Sequence, residues 1–237
     1  MDIAILTGAN GDLGKVFLDT LVKEGYFVYA VDIKTDKLKK SKAVRPVKLD
    51  ITDEDAVKRF YKNIRRLSVL VNNAGIGVFT PFEKRTAKEF RMVTDVNLLG
   101  TFLMSRSAVS IMKRQKAGKI ISIGSIYGQV SSDPRIYGTS GRNNSEVYSI
   151  TKAGVIMLTK YMAANFAGYN IQVNCISPGG IFNHQGPDFV RNYEFRTPSG
   201  RMADVQDIQG ALRFLMSGDS EYVNGQNITV DGGFTTW

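Results

Sequence analysis

The sequence predicts an α/β fold: a single-domain, doubly wound parallel sheet of about seven strands with helices on both faces. Short apolar runs alternate with longer segments of helical period, which is typical of strand–helix–strand units and a parallel sheet. The first apolar run leads into a glycine-rich turn and then into a helical segment. A length of 237 residues suits one α/β domain, so we expect residues 1–237 to form a single domain.

Seven apolar runs bounded by turn residues are predicted to be strands. They are Ile3 to Leu6, Phe27 to Val31, Arg45 to Leu49, Val69 to Val71, Lys119 to Ile123, Ile171 to Ile176 and Asn227 to Val230. Helices are predicted where apolar residues recur every three or four positions, at Leu13 to Glu24, Asp53 to Arg66, Thr86 to Arg91, Asn97 to Gln115, Glu146 to Phe166 and Val205 to Met216. Asp53 and Asp204 are expected as N-caps, and Gly25 as a left-handed C-cap.

Two long polar stretches, Gln129 to Ser145 and Asn183 to Gly200, fit no predicted helix or strand. Loops of that length in a compact domain are usually functional, and both follow carboxyl ends of strands, so we expect them to form the substrate pocket. They carry four arginines, Arg135, Arg142, Arg191 and Arg196. Because a guanidinium group binds phosphate or carboxylate with two hydrogen bonds, these loops predict a small-molecule substrate with an anionic group.

The composition, with 43% hydrophobic and 22% charged residues, is that of an ordinary globular protein. An excess of 31 basic over 22 acidic residues gives a net charge of +9, which is compatible with binding polyanions. The densest basic stretch, Lys34 to Lys48, has no aromatic side chain that could stack on a base. We therefore expect a solvated lysine face and no nucleic-acid partner.

Targeting and metal-binding signals are absent from the sequence. The segment MDIAILTGANGDLG has an acid and glycines where a signal peptide has its apolar run, and no stretch approaches the roughly 18 apolar residues of a membrane span. A single cysteine can form no internal disulfide, which suits a reducing compartment, so we expect a cytoplasmic protein without a membrane partner. One histidine and one cysteine give no zinc-type spacing, so no metal is expected.

The turn after the first strand, TGANGDLG at residues 7–14, predicts a dinucleotide site of the Rossmann type. Its glycines let the backbone approach a pyrophosphate, whose charge faces the N-terminal amides of the following helix. Asp32 ends the second strand, where a carboxylate accepts hydrogen bonds from ribose hydroxyls and repels a 2′-phosphate. The cofactor is therefore expected to be NAD, with NADP less favoured, although the cation of Lys34 stands two residues further on.

Four residues form a candidate catalytic set. Tyr148 and Lys152 are four apart on a helical segment and share one face, so the ammonium group can favour the phenolate. Ser125 follows a predicted strand at its carboxyl end, where parallel sheets bind ligands, and Asn97 opens a predicted helix. A serine hydroxyl can hold a substrate oxygen while the tyrosine exchanges its proton.

These motifs together resemble the short-chain dehydrogenase/reductase family over nearly the whole chain. Six motifs occur in the family's order. They are the glycine turn, Asn72-Asn73-Ala74-Gly75, Ser125, the pair Tyr148 and Lys152, Pro178-Gly179, and Asp231-Gly232-Gly233. The resemblance implies that Tyr148 donates and accepts the proton, Lys152 promotes its deprotonation, Ser125 orients substrate and Asn97 holds a relay water. The implied cofactor-binding residues are Gly8, Asn10, Gly11, Asp12, Leu13, Asp32, Ile33, Asp50, Ile51, Asn73, Ala74, Gly75, Tyr148, Lys152, Pro178, Gly179 and Ile181.

The sequence departs from the family pattern in three places. Asp12 stands where the family usually has glycine, so we expect it to cap the first helix. The segment before Tyr148 is longer than usual; Tyr137 lies nearer the usual spacing, but its fourth neighbour is Gly141 rather than lysine, which excludes it as the catalytic tyrosine. Asn183 replaces a threonine that often lies near the cofactor amide.

The favoured function is an NAD-dependent oxidoreductase that interconverts a secondary alcohol and a ketone. The long loop before Tyr148 and the ending TVDGGFTTW resemble oxidoreductases of bacterial surface-sugar pathways, such as flagellin modification and legionaminic acid synthesis, which implies a sugar or nucleotide-sugar substrate. The family resemblance also implies a homo-oligomer, a dimer or a tetramer. The alternatives are a reductase of lipid or acyl ketones, a non-catalytic nucleotide-sensing regulator and, third, a nucleic-acid binder. Cys175 is expected to be buried, and the loop residue His184 to have no catalytic role.

Overall fold

A parallel sheet forms the centre of the computed structural model, which describes residues 2–138 and 143–237. Its seven strands are β1 (Ile3–Thr7), β2 (Phe27–Asp32), β3 (Val44–Lys48), β4 (Val69–Asn72), β5 (Gly118–Ile123), β6 (Ile171–Pro178) and β7 (Asn227–Val230). The strand order is β3-β2-β1-β4-β5-β6-β7, so the chain reverses its direction of growth between β1 and β4. Ligands of such sheets bind at the carboxyl ends of the strands beside this switch point.

Helices cover both faces of the sheet. They are α1 (Asp12–Lys23), α2 (Glu54–Lys62), α3 (Ala87–Thr94), α4 (Thr101–Gln115), α5 (Glu146–Phe166), α6 (Pro187–Arg196) and α7 (Gln209–Met216). One core cluster packs α2, α4 and α5 against side chains such as Ile5 and Leu70. A second packs α1 and α7 against the opposite face, which includes Leu6 and Val71. Neighbouring residues of β1 and β4 point to opposite cores, since successive side chains of a strand alternate between the two faces of the sheet. The seven-stranded parallel sheet with helices on both faces confirms the predicted fold class.

The predicted strands are all present, with bounds within two residues of those expected. Asp53 accepts a hydrogen bond from the backbone of Ala56 and caps α2 as expected, while α2 ends at Lys62, earlier than the predicted Arg66. Asp204 begins a 3₁₀ turn, Val205–Ile208, that precedes α7. Gly25 has a φ of 85°, which confirms the left-handed C-cap.

The predicted start of a helix at Asn97 is wrong. A π-helical segment, Asp95–Gly100, joins α3 to α4, and Asn97 lies buried within it. Such segments widen one helical turn and are frequent at functional sites. The apolar pattern contained no sign of it because a widened turn displaces the period by one residue without adding a breaker.

The stretch from Asn183 to Gly200, predicted to lack regular structure, contains α6. Pro187 occupies its first turn, where the missing N–H costs no helical hydrogen bond. Tyr193 is buried on the inner side of α6. The stretch from Gln129 to Ser145 contains a short 3₁₀ turn, Pro134–Tyr137, and its residues 139–142, which include Arg142, lie outside the described part of the chain.

Candidate active site

The turn after β1 is built for close approach of a ligand to the backbone. Gly8 has a φ of 65°, and a Cβ at this position would come within 2.8 Å of Cα of Ala74. The side-chain amide of Asn73 donates hydrogen bonds to the carbonyl oxygens of Thr7 and Gly8, at 3.1 and 3.0 Å. The hydroxyl of Thr7, which sequence reasoning did not single out, accepts hydrogen bonds from the backbone N–H groups of Asn73 and Ala74 at 3.0 Å. The segment after β4 therefore fixes the shape of the turn.

Asp12 does not cap α1, contrary to expectation. Gly11 is the N-cap residue and provides no side-chain hydrogen bond, while Asp12 stands in the first turn. Its carboxylate lies 3.3 Å from the ammonium group of Lys15 and is exposed. The N-terminal amides of α1 are therefore free of a side-chain cap and face the turn, as an anion site requires.

Asp32 lies at the end of β2, beside the same turn. One carboxylate oxygen accepts a hydrogen bond from the backbone N–H of Asn10, and the other from that of Lys34, each at 3.0 Å. The side-chain oxygen of Asn10 is buried without a hydrogen-bond partner in the described part of the structure. A buried acceptor of this kind is expected to bind water or a ligand hydroxyl.

A cavity of about 710 Å³ opens above the carboxyl ends of β1, β2 and β4. This volume lies within the roughly 300 to 1,000 Å³ of small-molecule sites. It is lined by twelve of the predicted cofactor residues, namely Gly8, Asn10, Gly11, Asp12, Leu13, Asp32, Ile33, Asp50, Ile51, Asn73, Ala74 and Gly75. Sequence reasoning missed Met92 of α3 and Val96 of the π-helical segment, which also line it, because both fall between the predicted helices Thr86 to Arg91 and Asn97 to Gln115.

A second cavity, of about 300 Å³, adjoins the first. It is lined by Leu13, Asn73, Gly75, Ile123, Gly124, Ser125, Tyr148, Lys152, Pro178, Gly179 and Ile181, and the first three of these also line the larger cavity. The two cavities therefore form one elongated cleft across the switch point. We call the smaller part the catalytic cavity, because it holds Ser125, Tyr148 and Lys152.

Ser125, Tyr148 and Lys152 converge from two elements. Ser125 follows β5, is mostly buried, and accepts a hydrogen bond from the backbone of Tyr127 at 3.2 Å. Lys152 extends from α5, is 5% exposed, and donates a 2.7 Å hydrogen bond to the carbonyl of Ile123. Its ammonium nitrogen lies 5.5 Å from the ring centroid of Tyr148. The arrangement places a fixed positive charge beside a phenol and a hydroxyl.

Asn97 lies behind the catalytic cavity and does not line it. Its side-chain oxygen accepts a hydrogen bond from the backbone N–H of Ile76 at 2.8 Å. Its amide group donates to the carbonyl of Ile76 and to the hydroxyl of Thr151, each at 3.0 Å. Both amide hydrogens are thus bound to protein atoms, and the side chain fixes the segment after β4 against α5. The relay-water role of Asn97 stays a prediction. The side-chain amide hydrogens cannot hold such a water, because both are already bound.

An aromatic cluster joins the two loop segments. Phe189 and Tyr193 of α6 pack with Tyr137, and Phe234 stacks on Tyr193 with ring centroids 4.7 Å apart. Burial raises the pKa of Tyr193 to about 12 and also raises the pKa of Tyr127. The hydroxyl of Tyr193 interacts closely with the backbone N–H of Gly180. These phenols therefore stay protonated at neutral pH and act as hydrogen-bonding groups.

The described loop arginines do not line the cleft. Arg135 binds the carboxylate of Asp133, with Nη2 at 2.7 Å from Oδ2, and Arg191 binds Asp188 at 2.7 Å. The hydrogen bond from Arg135 lowers the pKa of Asp133 to about 2. Arg196 lies 3.7 Å from Asp133 and lines, together with Arg135, a separate cavity of about 360 Å³. Contact between these arginines and a substrate stays a prediction.

The remaining candidate residues lie outside the cleft lining. Cys175 is fully buried, as expected, and burial raises the pKa of its thiol to about 11. His184 is exposed with a φ of 53°, and its ring contacts Phe182 edge-on. Across residues 2–138 and 143–237, no group of three or more His, Cys, Asp or Glu side chains is arranged to hold a metal ion. In the same part of the chain, no helix has the length and apolar character to cross a membrane.

Comparison with known proteins yields consistent matches. The family model described as enoyl-(acyl carrier protein) reductase matches residues 8–235. A 3-oxoacyl-[acyl-carrier-protein] reductase FabG of Thermotoga maritima is 34% identical, over 98% of this chain and 96% of its own length.

Solved structures agree with these matches. A short chain dehydrogenase from Leptospira borgpetersenii, solved with bound NAD⁺, is 42% identical with a TM-score of 0.93, over 99% of this chain and 92% of that one. A gluconate 5-dehydrogenase from Burkholderia cenocepacia, in complex with NADP and tartrate, is 28% identical with a TM-score of 0.89, over 100% of this chain and 96% of that one. The chain belongs to the short-chain dehydrogenase/reductase family of NAD(P)-dependent oxidoreductases.

Proposed function

We propose that this enzyme is an NAD-dependent dehydrogenase that interconverts a secondary alcohol and a ketone on a sugar or nucleotide-sugar substrate. The observation that carries the catalytic part is the convergence of Ser125, Tyr148 and Lys152 on a cavity continuous with the larger cofactor-sized cavity. A non-catalytic nucleotide sensor has no need for this set, and a nucleic-acid binder has no need for the cleft.

The larger cavity suits the adenosine and pyrophosphate parts of a dinucleotide. Gly8 and the N-terminus of α1 would hold the diphosphate, and Asp32 and Asn10 would bind the ribose hydroxyls. Pro178, Gly179 and Ile181 line the catalytic cavity, where the nicotinamide belongs. When bound, the nicotinamide supplies or accepts the hydride.

The side chains of the catalytic cavity move the proton. In the reducing direction, Ser125 donates a hydrogen bond to the carbonyl oxygen of the ketone, and Tyr148 gives that oxygen its phenolic proton as the carbon receives the hydride. The ammonium group of Lys152 stabilises the phenolate that remains. In the oxidising direction, the phenolate removes the proton of the alcohol.

Asp32 supports NAD as the preferred dinucleotide, because its carboxylate repels a 2′-phosphate at the end of β2. The relative solved with NAD⁺ shares more of its sequence with this chain than the relative solved with NADP does, at 42% against 28%. Lys34 lines the same cavity and opposes this preference.

A hydroxylated substrate is supported by the phenols of the aromatic cluster between the two loop segments and by the gluconate 5-dehydrogenase relative. We place the substrate between residues 129–145 and 183–200, with an anionic group on it, as the tartrate-bound relative also suggests. The second candidate is a reductase of acyl ketones, which the FabG relative and the matching family model favour.

The setting we propose is the cytoplasm, where a single buried cysteine needs no oxidising conditions. We propose a homo-oligomer, a dimer or a tetramer. Exposed apolar side chains on α4 and α5, such as Phe102, Met157 and Tyr161, support association through these helices.

The test is a screen that follows NAD⁺ or NADP⁺ reduction with D-gluconate, with free, phosphorylated and nucleotide-linked sugars, and NADH oxidation with an acetoacetyl thioester. We expect turnover on a sugar, faster with NAD⁺ than with NADP⁺. Turnover on the thioester alone supports the second candidate. Dinucleotide binding without turnover on any ketone or alcohol contradicts the proposed catalytic function.

A further inference from the structure

A partly buried ion pair joins the segment after β4 to the first turn of α5, outside both cavities. The guanidinium group of Arg85, whose side chain is 5% exposed, donates a 2.9 Å hydrogen bond from Nε to the carboxylate of Glu146. The hydrogen bond from Arg85 also lowers the pKa of Glu146. From Nη2, Arg85 donates to the carbonyl of Val78 at 2.9 Å. One side chain therefore holds both the loop and the helix.

The same guanidinium group reaches the N-cap of the catalytic helix. Ser145 is that N-cap, and its hydroxyl oxygen accepts a hydrogen bond from Arg85 Nη2 at 3.3 Å. This oxygen also accepts a hydrogen bond from the backbone N–H of Tyr148 at 3.3 Å. A chain of two hydrogen bonds thus leads from Arg85 to the main chain of Tyr148.

The carbonyl of Tyr148 is held in a corresponding way. It accepts a 2.8 Å hydrogen bond from the hydroxyl of Thr151, which in turn accepts one from the amide of Asn97 at 3.0 Å. Asn97 fixes the backbone of Ile76, as Arg85 fixes that of Val78. Both polar main-chain groups of Tyr148 are therefore connected, through one side chain each, to residues that hold the loop segment 76–78.

This loop segment also passes close to the reactive side chain. A Cβ built on Gly77 would lie 3.7 Å from Cδ2 of Tyr148, so the backbone between the two fixed residues passes near the edge of the phenol ring. A displacement of the segment 76–78 would therefore change the immediate surroundings of the ring. Misplacement of a reacting group by about 1 Å can reduce a rate by about 100-fold.

We propose that Arg85 is a positioning residue of the reaction: by binding Val78, Ser145 and Glu146 together, it sets the place of the Tyr148 hydroxyl in the catalytic cavity. The inference rests on the proposed catalytic role of Tyr148. Arg85 lines neither of the two cavities, so it acts through Tyr148 and not through direct contact with substrate or cofactor.

The test compares Arg85→Met, Arg85→Lys and Glu146→Gln with Lys23→Met as the control. Lys23 forms a 2.6 Å ion pair with Asp19 in α1, away from the cleft lining and from the helices proposed for association. The measurements are kcat and KM with the best substrate of the screen, the dissociation constant for NADH, and hydrogen exchange of the amides of residues 145–149.

For Arg85→Met we expect kcat to fall by about 10- to 100-fold, with NADH affinity within about twofold of the wild type. The amide of Tyr148 should exchange faster, while amides in the middle of α4 keep their protection. Arg85→Lys and Glu146→Gln should show smaller losses of the same kind, since each keeps part of the hydrogen bonding. Lys23→Met should leave kcat and exchange at Tyr148 unchanged. If Arg85→Met does not fold, kcat and amide exchange of Arg85→Lys and Glu146→Gln test the positioning role in the same way.

A double variant separates positioning from general destabilisation. Once Tyr148→Phe has removed the proton donor, Arg85→Met should lower the residual rate by no more than about twofold, because the two changes act on one group. The inference would be overturned if the kcat losses of Arg85→Met and Tyr148→Phe multiply in the double variant. It would also be overturned if Arg85→Met alone has the kcat of the wild type and unchanged exchange at Tyr148. Full activity of Tyr148→Phe would instead contradict the proposed function, and the exchange data would still show whether Arg85 holds the helix start.

Discussion

The carboxylate of Asp32 accepts a 3.0 Å hydrogen bond from the backbone N–H of Asn10, so the end of β2 is bonded directly to the glycine turn after β1. The aspartate is therefore expected to serve two purposes, fixing the turn and meeting the ribose. Its second oxygen is bonded to the N–H of Lys34, which orients the carboxylate toward the cavity that both residues line.

The first prediction is that Asp32→Asn reduces the preference for NADH over NADPH. The amide keeps the side-chain shape but replaces one acceptor oxygen and removes the negative charge. Loss of a hydrogen bond to a charged group costs about 1.5 to 3 kcal/mol, so NADH binding should weaken by tenfold or more, while NADPH binding should improve. Fluorescence titration with both dinucleotides measures the ratio.

The control for this change is Asp19→Asn, which removes an exposed carboxylate of α1 that pairs with Lys23 and does not line the cavity. It should leave the ratio of the two affinities unchanged. An unaltered ratio in Asp32→Asn would show that Lys34 or another cation decides between the dinucleotides.

The second prediction is that Tyr148→Phe removes most of the turnover and leaves NADH binding nearly unchanged. The ring still packs beside Lys152, and only the exchangeable proton is lost. Because a positioned acid or base contributes about 10² to 10⁴ in rate, kcat should fall by at least 100-fold. Residual activity within about tenfold of the wild type would rule out Tyr148 as the proton donor.

The third prediction concerns steric crowding at Gly8. Gly8→Ala should destabilise the fold and abolish dinucleotide binding, since the new methyl group would meet the backbone of Ala74. Gly25→Ala is the matched control, because Gly25 also has a positive φ but its new methyl group would have no atom within 4 Å. It should cost only the left-handed backbone strain, about 1 to 2 kcal/mol, and retain binding. Equal losses of unfolding free energy would contradict the steric explanation.

The fourth prediction is that Cys175 is unreactive in the folded protein. Its side chain is fully buried, and burial raises its pKa to about 11, so little thiolate exists at pH 8. A chromogenic disulfide reagent should label no thiol in the native state and one after unfolding in denaturant. Rapid labelling of native protein would place Cys175 at an accessible surface instead.

The fifth prediction is a pH-dependent contribution of Glu89 to stability. The hydrogen bond from the hydroxyl of Thr80, followed by those from Thr86, lowers the pKa of Glu89 to about 2, against an ordinary value of 4.5. A carboxyl group with a lowered pKa stabilises the fold at pH values above its pKa in the unfolded chain, and this stabilisation is lost as pH falls toward 2. Thermal unfolding of wild type and Glu89→Gln should therefore differ most above pH 5 and converge near pH 2. A constant difference in Tm over that range would contradict the prediction.

The strands could be predicted because this sheet is buried on both faces. β4 is apolar except for its last residue and is buried throughout, so its sequence reads as a short uninterrupted run. Most of the cleft lining could be predicted for a related reason, since its residues follow carboxyl ends of strands or begin α1, and those positions are marked by glycine or by an isolated polar side chain.

The features that could not be predicted depend on contacts between distant segments. The sequence around Arg85 is polar, and only the fold brings this side chain against Glu146, 61 residues away, and buries it. The stretch from Asn183 to Gly200 was predicted to lack regular structure, but Pro187 stands in the first turn of α6, where proline is compatible with a helix. The burial of α6 comes from aromatic partners such as Phe234, which is distant from this helix in the sequence.

The wall shared by the two cavities has a consequence for how fragments of the cofactor should bind. Because Leu13, Asn73 and Gly75 line both parts, a dinucleotide that spans them places its second half at a high effective concentration once its first half is bound. Adenosine monophosphate should therefore bind weakly and compete with NADH at the larger cavity, while leaving Tyr148 open to solvent. The affinity of the whole dinucleotide should exceed that of either mononucleotide through the linkage alone.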